Sequence, residues 1–247
     1  MRGSSIVGAV AIVVVGCSTT FYPVDNGDAS GSGDDAATPD EGPAPGVGVA
    51  FDGVDDTLPS TKALARGASA AFTAEQWFRP QGSGAEAMQL LAIHNATDRD
   101  VQMAARADGK FSCTLFDQTG VSHETVGATA ASVGMWFHVA CTYDGATQRL
   151  FVNGALEGSV AWTGQVLLDD FVIVAGHGDL DELRLSSVAR YTAAFTPPRH
   201  VQKDADAVMM WLLDEGAGIM SVDGTGSGFD ATLGLNARSP AWTAFER

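Results

Sequence analysis

Between residues 71 and 213 the chain repeatedly alternates apolar and polar side chains over a few residues and then breaks at Gly, Asp or Asn. The clearest run is Met135-Trp136-Phe137-His138-Val139-Ala140-Cys141-Thr142-Tyr143, which puts Met135, Phe137, Val139, Cys141 and Tyr143 on one face and His138, Thr142 and Asp144 on the other. Successive side chains leave opposite faces of a pleated strand, so a period of two marks a half-buried strand. Similar runs predict strands at Ala71–Phe78, Gln89–Ile93, Val101–Ala105, Phe111–Phe116, Arg149–Val152, Phe171–Ala175, Leu180–Leu185 and Met209–Leu213. No window of ten or more residues follows a helical period convincingly. Asp144-Gly145 and Asn153-Gly154 suit tight turns with positive φ, so Trp136–Tyr143, Gln148–Val152 and Leu156–Ala161 read as a meander of hairpins. Many short strands at this spacing predict an all-β, antiparallel sandwich or barrel, and no solenoid repeat is present.

Composition narrows the reading. Hydrophobic residues make up 45% and charged residues 18% of the 247 positions, enough apolar material to bury a core. Fourteen Lys and Arg stand against 30 Asp and Glu, for a formal charge of -16, and no basic stripe interrupts the acidity. That balance excludes a nucleic-acid binder, whose affinity rests on neutralising phosphates. The five His show no HxH or HExxH spacing and there is no CxxC, which argues against a transition-metal site. There is no GxSxG and no P-loop; the GxG pairs at Gly176 and Gly224 lack a strand-to-helix context and read as turns.

The N-terminus carries a different signal. Arg2 lies in a short polar segment, Ile6 to Val15 are apolar or Gly, and Val14-Val15-Gly16-Cys17 follows. An apolar run of ten residues rises about 15 Å as a helix, half of the roughly 30 Å of a bilayer core, so it is no ordinary membrane span. It resembles a bacterial lipoprotein signal over residues 1–16, in which Cys17 receives the lipid and becomes the mature N-terminus. In that family pattern Ser18, which is not Asp, favours the outer membrane. Residues 17–46 then form a Gly-, Ser-, Pro- and Asp-rich stretch with Asp25, Asp28, Asp34, Asp35, Asp40 and Glu41 and no Lys or Arg. Such a stretch buries too little apolar area to offset its backbone entropy and reads as a flexible acidic tether, lifting a domain of residues 47–247 off the membrane or simply linking it.

Six segments in order carry a second resemblance. They are Phe51-Asp52-Gly53-Val54-Asp55-Asp56; Phe72-Thr73-Ala74-Glu75-Gln76-Trp77-Phe78; Trp136-Phe137-His138-Val139-Ala140 running into Thr142-Tyr143-Asp144-Gly145; Arg149-Leu150-Phe151-Val152-Asn153-Gly154; Gly178-Asp179-Leu180-Asp181-Glu182-Leu183-Arg184-Leu185 with Ser187-Val188-Ala189-Arg190-Tyr191; and Leu213-Asp214-Glu215-Gly216 before Gly226-Ser227-Gly228. Together they resemble the laminin-G-like branch of the concanavalin A-like lectin/glucanase superfamily, over roughly residues 47–233. The resemblance implies a jelly-roll sandwich of two antiparallel sheets, one concave, of a kind that presents a ligand groove or rim loops.

Candidate sites follow. Cys113 and Cys141 fall on apolar faces of two predicted strands, and a cross-strand disulfide is the natural pairing in an exported protein; two buried free thiols are the alternative. Cys17 is then the odd cysteine. The superfamily often holds calcium, and Asp52, Asp55 and Asp56 near the first strand, with Asp179, Asp181 and Glu182 near a late one, offer the hard oxygens such an ion takes if those strands are neighbours. The alternative is that these acids cap turns. Trp77 and Trp136 are either sugar platforms or core residues, with core favoured, and Trp162 beside Thr163-Gly164 is the better candidate for an exposed binding aromatic. Laminarinase-type hydrolases share this fold and need paired catalytic carboxylates on alternate strand positions. Here Asp179 and Asp181 share a face but Leu183 and Arg184 follow, so the third acid is missing. The expectation is therefore a non-enzymatic surface lipoprotein that binds carbohydrate or another surface macromolecule, with a protein-interaction module of the envelope as the alternative and a divergent hydrolase behind both.

Overall fold

The computed structural model describes residues 46–82, 88–94, 99–233 and 239–245; the signal segment, Cys17 and nearly all of the tether lie outside them. Among the described residues there is no helix. The strands are β1 (Val47–Pro59), β2 (Ala68–Ser69), β3 (Phe72–Pro80), β4 (Met88–His94), β5 (Arg99–Ala105), β6 (Lys110–Phe116), β7 (Ser122–Ala130), β8 (Phe137–Tyr143), β9 (Thr147–Val152), β10 (Ala155–Ala161), β11 (Val166–Leu167), β12 (Phe171–Ser186), β13 (Ala207–Trp211), β14 (Met220–Ser221), β15 (Ala231–Thr232) and β16 (Ala241–Ala244). Every pairing is antiparallel, as the alternating pattern predicts.

The long strand β12 serves both layers of the sandwich. Its first residues, Phe171–Ile173, pair with β4, and from Gly178 to Ser186 it pairs with β3, while β1 runs beside both parts. One layer therefore reads β10-β9-β8-β3-β12 and the other β12-β4-β5-β6-β7. Phe72, Phe78, Val139, Tyr143, Leu150 and Leu180 from the first layer meet Leu91, Ile93, Val101, Met103, Phe111 and Leu115 from the second. The result is a concanavalin A-like jelly-roll sandwich. The Asn153-Gly154 turn forms as expected, with both residues at positive φ (50° and 76°), the conformation that a two-residue hairpin needs.

Cys113 on β6 and Cys141 on β8 form a disulfide with a Cα–Cα distance of 6.1 Å, joining the two layers through the core. Beside it the buried Gln148 donates from Nε2 to the carbonyls of Cys113 (2.8 Å) and His123 (3.1 Å), a second tie between the layers.

β8 departs from the half-buried expectation: every residue from Phe137 to Tyr143 is buried. The reason is the segment between β12 and β13, residues 187–206, which lies as a strap across the outer face of β3, β8 and β9. Trp77 donates from its indole to the Pro198 carbonyl (2.9 Å), and Phe195 stacks on Tyr191 (3.5 Å) and meets the rings of His138 (5.7 Å) and Phe151 (5.4 Å). Beneath the strap sits the fully buried carboxylate of Glu75. Arg184 donates to Oε1 from Nε (2.9 Å) and Nη2 (2.7 Å), Tyr191 OH donates to Oε2 (2.7 Å), and His138 Nε2 lies 3.2 Å from Oε2. Burial alone raises a carboxyl pKa, but the contacts with His138, Arg184 and Tyr191 outweigh it and hold Glu75 down at about 2.

The disulfide closes a loop of 28 residues, which in the chain-entropy account stabilises the fold by about 3 kcal/mol. Replacing both Cys113 and Cys141 with Ala is expected to lower the unfolding free energy in urea by about that amount. An unchanged transition midpoint would contradict it.

Candidate functional site

The strap leaves one end of the first layer's outer face open. Val49, Phe51, Phe78 and Leu180 point into the core, so alternate residues of β1, β3 and β12 point outward. Across the strands Ala50 pairs with Asp179 and Asp179 with Arg79; two residues further along, Asp52 pairs with His177. There the register of β1 slips between Asp52 and Thr57 and the chain bulges outward. Gly53 makes the bulge possible: its φ is +78°, and a Cβ on it would lie 2.6 Å from His177 Cβ. The bulge is held by two bonds, from Asp52 N to Asp56 Oδ2 and from Val54 N to Asp52 Oδ1, each 2.8 Å. It gathers the carboxylates of Asp52, Asp55 and Asp56 within 4.8 Å of one another and leaves Val54 81% exposed at its tip. Burial, with the neighbouring charges of Asp52 and Asp55, raises the pKa of Asp56.

Next to the bulge stands a clamped arginine. Buried Asp179 accepts from Arg79 Nε and from Gln81 Nε2, both at 2.7 Å on the same oxygen. The guanidinium carbon of Arg79 lies 5.0 Å from the centre of the Trp136 ring and 5.2 Å from that of Phe245, and the two rings meet edge to face at 4.7 Å. Phe245 reaches this place because Gly48 has no side chain: a Cβ there would come within 2.3 Å of Phe245 Cζ. Trp136 is half-buried and His177 and Gln81 are exposed, so the cluster forms an aromatic and polar rim. The loop that carries Trp136 is tied to β3 by a bond from Gly134 N to the Pro80 carbonyl (2.8 Å).

The structure separates the residues that the sequence grouped. The early and late strands are neighbours, but Asp179 faces Arg79 rather than the carboxylates of the bulge, and Asp181 lies two residues further along, across from Trp77 and 2% exposed. Among the described residues the cluster able to hold a cation is Asp52, Asp55 and Asp56 alone. Those three fit calcium in ligand type and spacing; the remaining oxygens of its six to eight would come from backbone carbonyls, water or a ligand. Trp77 is wholly buried. Trp162 is 8% exposed instead of projecting from the rim, because it is stacked between Tyr143 and His123, 4.1 Å from each, and its indole donates to Gln148 Oε1 (3.2 Å). This aromatic tower fills the end of the sandwich, so Trp162 is a core residue. Sequence reading missed Arg79, Gln81, His177 and Phe245, which converge from β3, its following turn, β12 and the segment after β16.

Asp181 and Glu182 have unusual electrostatics. Burial raises Asp181 to about 10, assisted by the charges of Glu182 and Asp214, so it is protonated at neutral pH. Burial also raises Glu182 to about 7, against bonds from the Val201 amide (2.8 Å) and the contact with His200 Nδ1 (2.6 Å). Glu182 has a φ of 56° in the β12 irregularity opposite β3, which turns it away from the regular strand alternation.

A two-layer antiparallel jelly roll with a loop-built rim and one sheet face sealed by its own chain defines an all-β sandwich scaffold. The laminin-G-type profile of the concanavalin A-like lectin/glucanases superfamily matches residues 52–194, more than half of the chain, and the chain belongs to that superfamily. No curated protein matches it. Among solved structures it is similar to a candidate carbohydrate-binding protein of Bacteroides ovatus ATCC 8483, with 16% identity and a TM-score of 0.65, over 82% of this chain and 61% of that one. This chain thus spans about three-fifths of the Bacteroides protein. It is also similar to a heptameric SAP-like pentraxin from Limulus polyphemus, at 16% identity and a TM-score of 0.49, over 64% of this chain and 81% of that one. At 16% identity the likeness to the Bacteroides protein concerns the fold alone.

The raised carboxyls predict a pH dependence. A group that binds its proton more tightly when folded stabilises the fold fully below its unfolded pKa and loses that contribution as pH rises through the folded value. For Asp181 and Glu182 the loss begins near pH 4 and extends through about 7 for Glu182 and about 10 for Asp181. Glu75, whose pKa is lowered, acts below this window. The urea midpoint is expected to fall between pH 5 and 9, and Asp181→Asn to remove most of that slope. A midpoint that rises over this interval would contradict the assignment.

Proposed function

We propose that this protein is a non-enzymatic, envelope-anchored lipoprotein whose jelly-roll domain binds carbohydrate at the rim formed by Trp136, Arg79, Gln81, His177 and the Asp52–Asp56 bulge. The observation that carries the reading is the half-buried Trp136 held beside polar donors and a hard-oxygen cluster, at the end of the sheet that the strap leaves open. An aromatic wall suits the C–H faces of a sugar, and neighbouring donors suit its hydroxyls. Asp52, Asp55 and Asp56 would hold a calcium ion, which supplies coordination to sugar hydroxyls when bound. Gly53 shapes that bulge and His177 walls it on the β12 side.

The acids of β12 support a binding role over hydrolysis. Asp179 is engaged with Arg79 and Gln81, and Asp181 is buried, so neither lies in a groove as an exposed carboxyl of a catalytic pair. A second reading, a protein partner in the envelope, is favoured by the exposed apolar run Ile219, Met220 and Val222. The anchor in this reading is Cys17, lipidated after removal of residues 1–16, and Ser18, which is not Asp, favours the outer membrane.

A glycan and polysaccharide array probed with the full chain, in calcium and in chelator, tests the binding role. Binding is expected in calcium, at least ten-fold weaker in chelator, and equally weakened by Asp52→Asn with Asp55→Asn; a blank array would shift the weight to the protein partner. For the anchor, mass spectrometry of the mature protein is expected to find diacylglycerol on Cys17, lost in Cys17→Ser. A lipid-free wild-type N-terminus would refute it.

A further inference from the structure

Arg79 is fixed more firmly than its exposure requires. Its Nε is bound to buried Asp179, Gln81 shares the same carboxylate oxygen, and the guanidinium lies against two aromatic rings, yet its side chain keeps 21% of its surface open. Its two Nη groups have no hydrogen-bond partner among the described residues and are not sealed from solvent. The guanidinium is thus held in one plane by Asp179, Trp136 and Phe245 while two amino groups remain available as donors. A planar fork whose rotamer is already fixed loses little entropy on binding, and its geometry matches two oxygens of one oxyanion.

We propose that Arg79 is a specificity-determining residue that makes the rim select sugars bearing an oxyanion, a uronate carboxylate or a sulfate ester, with Trp136 contacting the adjoining ring. The inference rests on the carbohydrate reading above and adds the ligand's charge. The formal charge of -16 opposes anions in general, so the preference has to come from the fixed fork at short range. A small free anion meets general repulsion and gains little, whereas an anion carried on a sugar is brought into contact by the ring's own binding, within the ~8 Å over which salt leaves local charges unscreened. Asp179 neutralises Arg79 without occupying its Nη groups, so the ligand's oxyanion completes an arrangement that Asp179 has oriented.

The test is calorimetry on the full chain with matched probes: oligogalacturonate against its methyl ester, and dextran sulfate against dextran. The first pair isolates the carboxylate and the second the sulfate. At least one charged probe is expected to bind ten-fold or more tightly than its neutral counterpart. Arg79→Lys, which keeps a positive charge opposite Asp179 but loses the fork, is expected to erase that preference while its melting curve shows the fold retained. Equal affinity for charged and neutral probes, or an Arg79→Lys protein with undiminished preference, overturns the inference and leaves carbohydrate binding standing. If neither these probes nor the array glycans bind, the carbohydrate reading itself fails, and the inference fails with it.

Discussion

Glu75 carries a negative charge where water does not reach, and it is tolerated there because Arg184, Tyr191 and His138 converge on its two oxygens. An ionised carboxylate in such a place is costly unless each oxygen is paired. Two of its partners come from the sheet, His138 on β8 and Arg184 on β12, and the third, Tyr191, comes from the strap. The strap is therefore required for the charge to be stable, and the charge in turn holds the strap down. Thr73 adds a bond to the Val188 carbonyl and Thr142 one to the Tyr191 carbonyl, both from strand hydroxyls that would otherwise face solvent. With the strap in place, Trp77, His138 and Phe151 form a second small core outside the sandwich.

The location of the rim follows from that closure. A jelly roll offers its sheet faces and its loop-bearing ends as ligand surfaces, and here the outer face of β3, β8 and β9 is occupied by the protein's own chain. What stays accessible on this layer is the end where β1 bulges at Gly53, β3 gives way to Gln81 and the Trp136 loop is tied to Pro80. Charge there is arranged in short pairings: Arg79 with Asp179, and three carboxylates around a bulge. The disulfide and Gln148 hold the two layers together on the far side of the sheet, so the rim is built on a scaffold with little freedom to shift.

Much of the fold is legible in the sequence because it depends on local chemistry. Two-residue alternation marks β3, β5, β6, β8 and β9 within a residue or two, and Asn153-Gly154 announces a turn that only positive φ can close. Cys113 and Cys141 are recognisable as partners from their apolar faces. The site is far less legible, because it depends on register. Alternation says that Asp179 and Asp181 share a face but not that one meets Arg79 while the other is buried across from Trp77. Trp162 sits beside Gly164, a loop signature, yet the local sequence gives no sign that Tyr143 and His123 are stacked on either side of it. Phe245 joins Arg79 across more than 160 positions, and no local pattern encodes that meeting.

The indole N–H signals of the five Trp residues report directly on the proposed ligand contact at the Trp136 rim. Trp77, Trp162, Trp211 and Trp242 each donate to an internal oxygen, on Pro198, Gln148, Phe229 and Gly218. In an NMR titration of the full chain with a glycan that binds, the Trp136 indole and the Arg79 Nε–H should shift while the Trp77, Trp162 and Trp211 indoles stay in place. Binding that leaves Trp136 and Arg79 unmoved and perturbs residues of β4 to β7 instead would contradict the account.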